Sequence, residues 1–306
     1  MTLTPDAYEA ALARIARPSG AFAMVAMDQR ESLRAMFAEN LPQPIALERR
    51  VDFKLAVARV LSPHASAMLI DQPEGLGPIL GAGALDPGCA LIIAADDLVQ
   101  PIGAAVDDTR LDRGVDLVDV RRRGAVAAKL LVIWKPDRSA ADRASLVRDF
   151  LEASRAAGLP GIVEGVVRPP AGVDERDWTE REDALLEATR ELGALRPDVY
   201  KAQVPFNGKG PAEAIVDRCR SMTEMLPCPW VVLSSGVSIE DYPGAVEAAC
   251  RGGASGFLAG RAVWRDALVA DPEPILRERA VPRLQRLAEI VDRFARPWSE
   301  APRPHP

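Results

Sequence analysis

Eight apolar runs of strand length, separated by segments of helical length, constrain this 306-residue chain more than any other feature. They fall at residues 21–27, 65–71, 90–95, 127–134, 161–167, 198–204, 229–235 and 254–260. A run that is apolar throughout, stops at polar residues and then enters a helix reads as one βα unit of a parallel sheet buried on both faces. Helices are expected near 4–17, 32–40, 44–61, 140–157, 178–192, 212–225, 239–252 and 274–295, with Thr4 and Pro5 opening the first. The stretch 101–113 reads as a charged loop. Eight such units predict an α/β fold, a single (β/α)8 TIM barrel over residues 1–295. The proline-rich stretch 296–306 is expected to be a disordered tail. An open doubly wound sheet is the competitor, but the count of eight and the lack of G-x-G-x-x-G after the first run favour the barrel.

Composition narrows the chemistry. A net charge of -6 argues against nucleic acid as a partner, so any basic cluster serves a local anion. Cys89, Cys219, Cys228 and Cys250 form no C-x-x-C pair, which suggests neither a zinc site nor a disulfide framework. The two histidines, His64 and His305, are too few for a histidine-rich metal centre, and no metal or organic cofactor is expected. Carboxylate-bound magnesium, with Asp71 and Asp96 as ligands, stays open. No run is long enough to span a bilayer, and the N-terminus lacks a basic region followed by an apolar one, so a cytoplasmic protein with no membrane partner is expected.

Functional side chains of such a barrel gather at the C-terminal ends of its strands. Asp28, Gln29 and Arg30 end the first run, Asp71 the second and Asp96 the third, while Lys129, Glu164 and Lys201 lie inside the fourth, fifth and sixth. Read singly, each could be a surface charge or a member of a buried ion-pair network. Three charges embedded in consecutive apolar strands point further. An ordinary lysine, with a pKa near 10.4, is a free amine in only about one molecule in 2,500 at pH 7. A second lysine beside Lys201 raises the cost of another positive charge, and Glu164 supplies a proton carrier. An amine that forms an imine with a ketone, next to a carboxyl that shuttles protons, is the equipment of a retro-aldol reaction. Ser234-Ser235-Gly236 and Gly260-Arg261 end the seventh and eighth runs with small residues and a guanidinium, a pattern suited to a phosphate. Gln29-Arg30 is expected across the mouth as a second anion site.

Several segments resemble the class I aldolases of the tagatose 1,6-bisphosphate aldolase family: Ala-Met-Asp-Gln-Arg-Glu at 26–31, Lys-Leu-Leu-Val-Ile-Trp at 129–134, Val-Val-Arg-Pro-Pro at 166–170, Val-Tyr-Lys at 199–201, Leu-Ser-Ser-Gly-Val at 233–237 and Gly-Phe-Leu-Ala-Gly-Arg at 256–261. The nearest likeness is to the sulfoglycolytic branch, the sulfofructosephosphate aldolases. The resemblance implies a metal-independent Schiff-base aldolase that acts on a ketose phosphate and forms homo-oligomers. It makes Lys201 the imine-forming lysine and Glu164 the proton shuttle, with Lys129, Asp28 and Gln29 on sugar hydroxyls. Ser235, Gly236, Gly260 and Arg261 would hold the phosphate of the dihydroxyacetone phosphate half, and Gln29 and Arg30 the far sulfonate or phosphate. The expected substrate is 6-deoxy-6-sulfofructose 1-phosphate. The alternatives are tagatose or fructose 1,6-bisphosphate, or a non-catalytic sugar-phosphate-binding barrel that regulates a partner. The chain departs twice: Gln203 stands where the family has glutamate in Lys-Val-Glu, and Gly165 stands where the sulfoglycolytic branch has proline.

Overall fold

A computed structural model describes residues 3–39, 41, 44–102 and 104–304; Asn40, where one expected helix ends, and tail residues 305–306 lie outside this set. The strands are β1 (Phe22–Met27), β2 (Ala67–Ile70), β3 (Ala90–Ala94), β4 (Asp96–Val99), β5 (Asp108–Leu111), β6 (Ala125–Trp134), β7 (Gly161–Val167), β8 (Val199–Ala202), β9 (Trp230–Val232) and β10 (Gly256–Ala259). Eight of them close a parallel barrel in the ring order β1-β10-β9-β8-β7-β6-β3-β2, as the eight apolar runs predict.

The two faces of each strand divide the core. Phe22, Met24 and Ala26 of β1, Ala127 of β6, Ile162 of β7 and Val199 of β8 fill the interior, while neighbours such as Val25, Val163 and Tyr200 pack outward against helices. Helix α1 (Pro5–Ile15), capped by Thr4 Oγ accepting from the Ala7 N–H at 3.2 Å, stoppers the barrel floor. Its Tyr8, Leu12 and Ile15 share one face and join the interior cluster. Burying each is worth about 1.5–3 kcal/mol.

The outer layer contains α2 (Glu31–Ala38), α3 (Leu47–Leu61), α4 (Gly77–Gly81), α5 (Leu117–Arg122), α6 (Ala140–Ala156), α7 (Arg181–Gly193), α8 (Ala212–Met225), α9 (Tyr242–Arg251) and α10 (Arg261–Trp264). The closing helix is not continuous: α11 (Glu273–Ile275) passes through a π turn at Leu276–Ala280 into α12 (Val281–Phe294). Pro282, with no N–H to give, lies in the first turn after that irregularity.

Two further differences matter. The stretch read as a loop at 101–113 belongs to an antiparallel hairpin, β4 with β5, that rises between β3 and β6. The expected disordered tail is instead laid against the fold as far as residue 304. Trp298 donates its N–H to Gly20 O at 3.0 Å, Arg296 donates to Ala254 O at 3.1 Å, and Pro304 O accepts from Arg196 Nε at 2.5 Å. Proline lowers the conformational freedom the tail loses on ordering, and Trp298 packs its ring near the floor.

Candidate active site

Two-residue alternation builds the site directly above the apolar layer. Asp28 follows Ala26 inward, Asp96 follows Ala94, Lys129 follows Ala127, Glu164 follows Ile162 and Lys201 follows Val199. Register then makes neighbours of them: Lys129 pairs with Ala94 of β3, and Glu164 pairs with Lys201. The sequence places five charged side chains at one level of the barrel, and all five are buried.

Lys129 Nζ lies 2.9 Å from Asp28 Oδ2, 3.0 Å from Asp96 Oδ2 and 2.8 Å from Glu164 Oε2. Lys201 Nζ lies 3.0 Å from the same Glu164 oxygen. Arg30 Nη2 donates to Asp96 Oδ1 at 2.6 Å, and the Leu131 N–H donates to Asp96 Oδ2 at 3.0 Å. Three carboxylates thus face three cations, and a buried group this crowded is tolerable only with such balance.

The electrostatics distinguish the members. Burial pushes the Glu164 carboxyl up, but Lys129 and Lys201 together pull it further down, so it is held below the usual carboxylate range. Asp28 follows the same logic: burial raises it, and Lys129, Lys201 and Arg30 outweigh burial. Lys129 is held well above the usual lysine range, because Asp28, Asp96 and Glu164 overcome the cost of burial. Lys129 is therefore the fixed cation, tied to three carboxylates. Lys201 touches one, and a proton can cross that 3.0 Å contact.

Above the cluster opens a cavity of about 310 Å3. Ser234, Ser235, Gly260 and Arg261 line one wall, from the ends of β9 and β10. Ser234 Oγ accepts from the Ala262 N–H at 3.4 Å and ties those ends together. Gly260 is required by packing: a Cβ there would lie 2.7 Å from Ala26 O. Burial, then Arg168 and Arg265, push the Arg261 guanidinium down, the mark of a cation short of counter-charge. The other wall carries Leu131, Ile133, Val166, Arg168 and Gln100.

Lys201, Glu164, Lys129 and Asp28 thus form one cluster, and Gln29, Ser235, Gly260 and Arg261 line the cavity above it. Gly236, at φ 83°, lies in the turn after β9 with Asn207 beside it and is absent from the cavity lining. The position of the Gln29-Arg30 pole needs correction. β1 is next to β10 in the ring, so Gln29 stands beside the serine-glycine wall; a Cβ on Gly260 would be 3.2 Å from Gln29 Nε2. Arg30 is turned to Asp96 and does not line the cavity. A second cation in the lining is Arg168, paired with Glu175 at 3.0 Å and near enough to Arg261 to push its guanidinium down; it lies in the segment Val-Val-Arg-Pro-Pro but is given no role from sequence. The magnesium alternative also loses its ligands: Asp71 is bonded to Lys54 and to the Glu74 N–H, and Asp96 to Lys129 and Arg30.

The family profile of the DeoC/LacD family aldolases matches residues 22–266. The chain belongs to that family. It is a class I aldolase, a carbon–carbon lyase. Tagatose 1,6-diphosphate aldolase of Listeria monocytogenes is 28% identical over 94% of this chain and 92% of its own. Tagatose 1,6-diphosphate aldolase 1 of Streptococcus mutans is 25% identical over 98% of this chain and 100% of its own. Among solved structures, fructose-bisphosphate aldolase from Plasmodium falciparum superposes with a TM-score of 0.70 at 14% identity, covering 97% of this chain and 98% of that one. An archaeal fructose 1,6-bisphosphate aldolase gives 0.59 at 17% identity, with 93% and 99% covered. These likenesses carry the barrel fold.

Both departures within this aldolase have a structural reason. Gly165 faces the helices, where a Cβ would lie 2.4 Å from Tyr200 Oη and 3.0 Å from Leu192 Cδ1. Proline, as in the sulfoglycolytic branch, does not fit beside that tyrosine. Gln203 is buried, and its Oε1 accepts from the Val167 N–H at 2.7 Å, fastening the end of β7 to β8 without adding a charge near Lys201.

Proposed function

We propose that this aldolase reversibly cleaves the C3–C4 bond of a ketose 1,6-bisphosphate of the tagatose or fructose type, giving dihydroxyacetone phosphate and glyceraldehyde 3-phosphate. The observation that carries this reading is the shared Glu164 oxygen, 3.0 Å from Lys201 Nζ and 2.8 Å from Lys129 Nζ, at the base of a cavity lined by two guanidinium groups, Arg168 and Arg261. Tagatose 1,6-diphosphate aldolases among its relatives support the substrate class.

Proton transfer from Lys201 to Glu164 frees the amine, which attacks the C2 ketone. Glu164 returns the proton to the carbinolamine hydroxyl, water leaves and an iminium forms. The carboxylate then takes the C4 hydroxyl proton. The C3–C4 electron pair moves into the iminium as the aldehyde departs, leaving an enamine on Lys201. Glu164 protonates the enamine at C3, and water releases dihydroxyacetone phosphate. Lys129 keeps its charge throughout and steadies the hydroxyl oxygens as charge develops on them. Arg261, Ser235 and Gly260 receive the C1 phosphate, and Arg168 the far one, by charge-assisted hydrogen bonds.

A second reading, 6-deoxy-6-sulfofructose 1-phosphate giving sulfolactaldehyde, draws its support from the motifs shared with the sulfoglycolytic branch; Gly165 weighs against it. Competition between the two substrates, measured as kcat/KM, decides between them. The homo-oligomer is likewise part of this reading, and sedimentation velocity checks it. The decisive experiment is borohydride trapping with each ketose phosphate followed by peptide mapping. The adduct is expected on Lys201, and Lys201→Met is expected to lose at least about a thousandfold in kcat. Full turnover by that variant overturns the mechanism.

A further inference from the structure

The hairpin β4–β5 is fastened at two points, and its tip reaches the cavity. At its base Asp96 holds Arg30 and Lys129. On its outer flank Asp107 receives Lys135 at 2.5 Å and Arg138 at 2.7 Å. At its tip Gln100, Ala104, Ala105 and Val106 line the same cavity as Lys201 and Glu164. A strand pair fixed at its root to Lys129 and reaching the cavity at its tip is placed to touch substrate.

Gln100 has an unused group for it. Its Nε2 donates to Ala104 O at 2.7 Å, which settles which end of the amide is the nitrogen. Its Oε1 is buried and has no hydrogen-bond partner among the described residues. A buried acceptor without a donor is costly, and the O–H or N–H of a ligand would satisfy it. Arg168 and Arg261 already offer donors to an anion in this cavity, whereas the unpaired Oε1 of Gln100 can only accept. It is an acceptor for a neutral hydroxyl.

Ring geometry says which half of the substrate meets it. β6, beside the hairpin, lies four strands from β10, on the opposite side of the barrel, with β8 and Lys201 midway. A ketose with C2 on Lys201 and its C1 phosphate against Arg261 therefore sends its aldehyde half toward Gln100. In that half the C4 oxygen is served by Glu164 and Lys129, and the far phosphate by Arg168. The C5 hydroxyl is left.

We infer that Gln100 is a specificity-determining residue whose Oε1 accepts the C5 hydroxyl of the ketose, which is the C2 hydroxyl of the aldehyde product. This rests on the Schiff-base reading above.

The test runs the reaction toward condensation, with dihydroxyacetone phosphate and either glyceraldehyde 3-phosphate or 3-phosphooxypropanal, which lacks the C2 hydroxyl. The wild-type enzyme is expected to favour the hydroxylated aldehyde in kcat/KM by about ten- to a hundredfold. In Gln100→Leu the preference is expected to fall to roughly threefold or less, through loss with the hydroxylated aldehyde alone. Exchange of the C3 proton of dihydroxyacetone phosphate with solvent, which needs Lys201 but no aldehyde, is expected to stay at the wild-type rate. A wild-type enzyme that does not distinguish the two aldehydes overturns the inference without any variant, and so does a Gln100→Leu enzyme that keeps the preference. Loss of proton exchange in the variant assigns Gln100 a structural role and also overturns it. Absence of proton exchange and of a trapped adduct in the wild type marks failure of the Schiff-base reading instead.

Discussion

Replacing Glu164 by glutamine tests the centre of the proposed chemistry with almost no change in shape. The carboxylate faces Lys129 at 2.8 Å and Lys201 at 3.0 Å. With an effective dielectric of about 20, each contact has a gross Coulomb energy of roughly 5–6 kcal/mol, most of it offset by desolvation. Lys129 retains Asp28 and Asp96, so Glu164→Gln is expected to fold. Its chemistry is expected to suffer at three steps: carbinolamine dehydration, C4 deprotonation and enamine protonation. A positioned acid–base group is worth about 10²–10⁴ in rate, or roughly 3–5 kcal/mol of barrier, so kcat is expected to fall by at least about a hundredfold. Binding of the phosphate wall is untouched, so the Kd of a non-reactive phosphate analogue is expected to stay within about threefold. Coupling dihydroxyacetone phosphate release to a glycerol-phosphate dehydrogenase reads kcat, and quenched-flow borohydride trapping reads iminium formation; both are expected to slow together. A Glu164→Gln enzyme within tenfold of wild-type kcat would show that the proton carrier lies elsewhere, and the assignment built on the shared oxygen would fall.

Gly165→Ala is expected to cost about 1–3 kcal/mol of stability through collision with Tyr200 Oη, and the cost is expected to shrink in a Tyr200→Phe background; urea unfolding of the four proteins measures the coupling. Equal costs in both backgrounds would refute the packing account of Gly165. The depressed Asp28 and Glu164 carboxyls contribute stability that is present above the unfolded carboxylate pKa of about 4 and is lost as pH falls toward their folded values. Lys129, raised by its three carboxylates, contributes stability that is complete below about pH 10.4 and lost as pH rises through its folded value. Chemical denaturation across both limbs checks these signs, and Lys129→Met is expected to flatten the alkaline one.

The barrel is legible because parallel strands buried on both faces write themselves as unbroken apolar runs, and the charges within or at the ends of those runs mark the level of the buried ionic cluster. Asp28, Lys129, Glu164 and Lys201 stand together in that cluster. Closure of a barrel makes its first and last strands neighbours, so the position of Gln29 beside Gly260 was derivable from the eight-strand prediction itself. The partner of Arg30 was not: a long side chain at a strand end can reach several carboxylates, and only packing selects Asp96. The hairpin leaves no sequence signal because β4 and β5 are short and charged, and their pairing depends on contacts outside the local pattern. Arg168 and Gln100 have no periodic signal of their own; the walls of the cavity define them.

Among the described residues, helix α1 closes the floor of the barrel and the cavity over Lys201 opens at the other end. Under the proposed reaction the aldehyde departs through the opening that admits the next ketose, while its former partner is still tethered to Lys201. An aldehyde lingering in that passage meets a reactive enamine below it, so recapture competes with escape. Traffic through that opening, as much as the bond-breaking step, then governs how far the enzyme runs toward cleavage or synthesis.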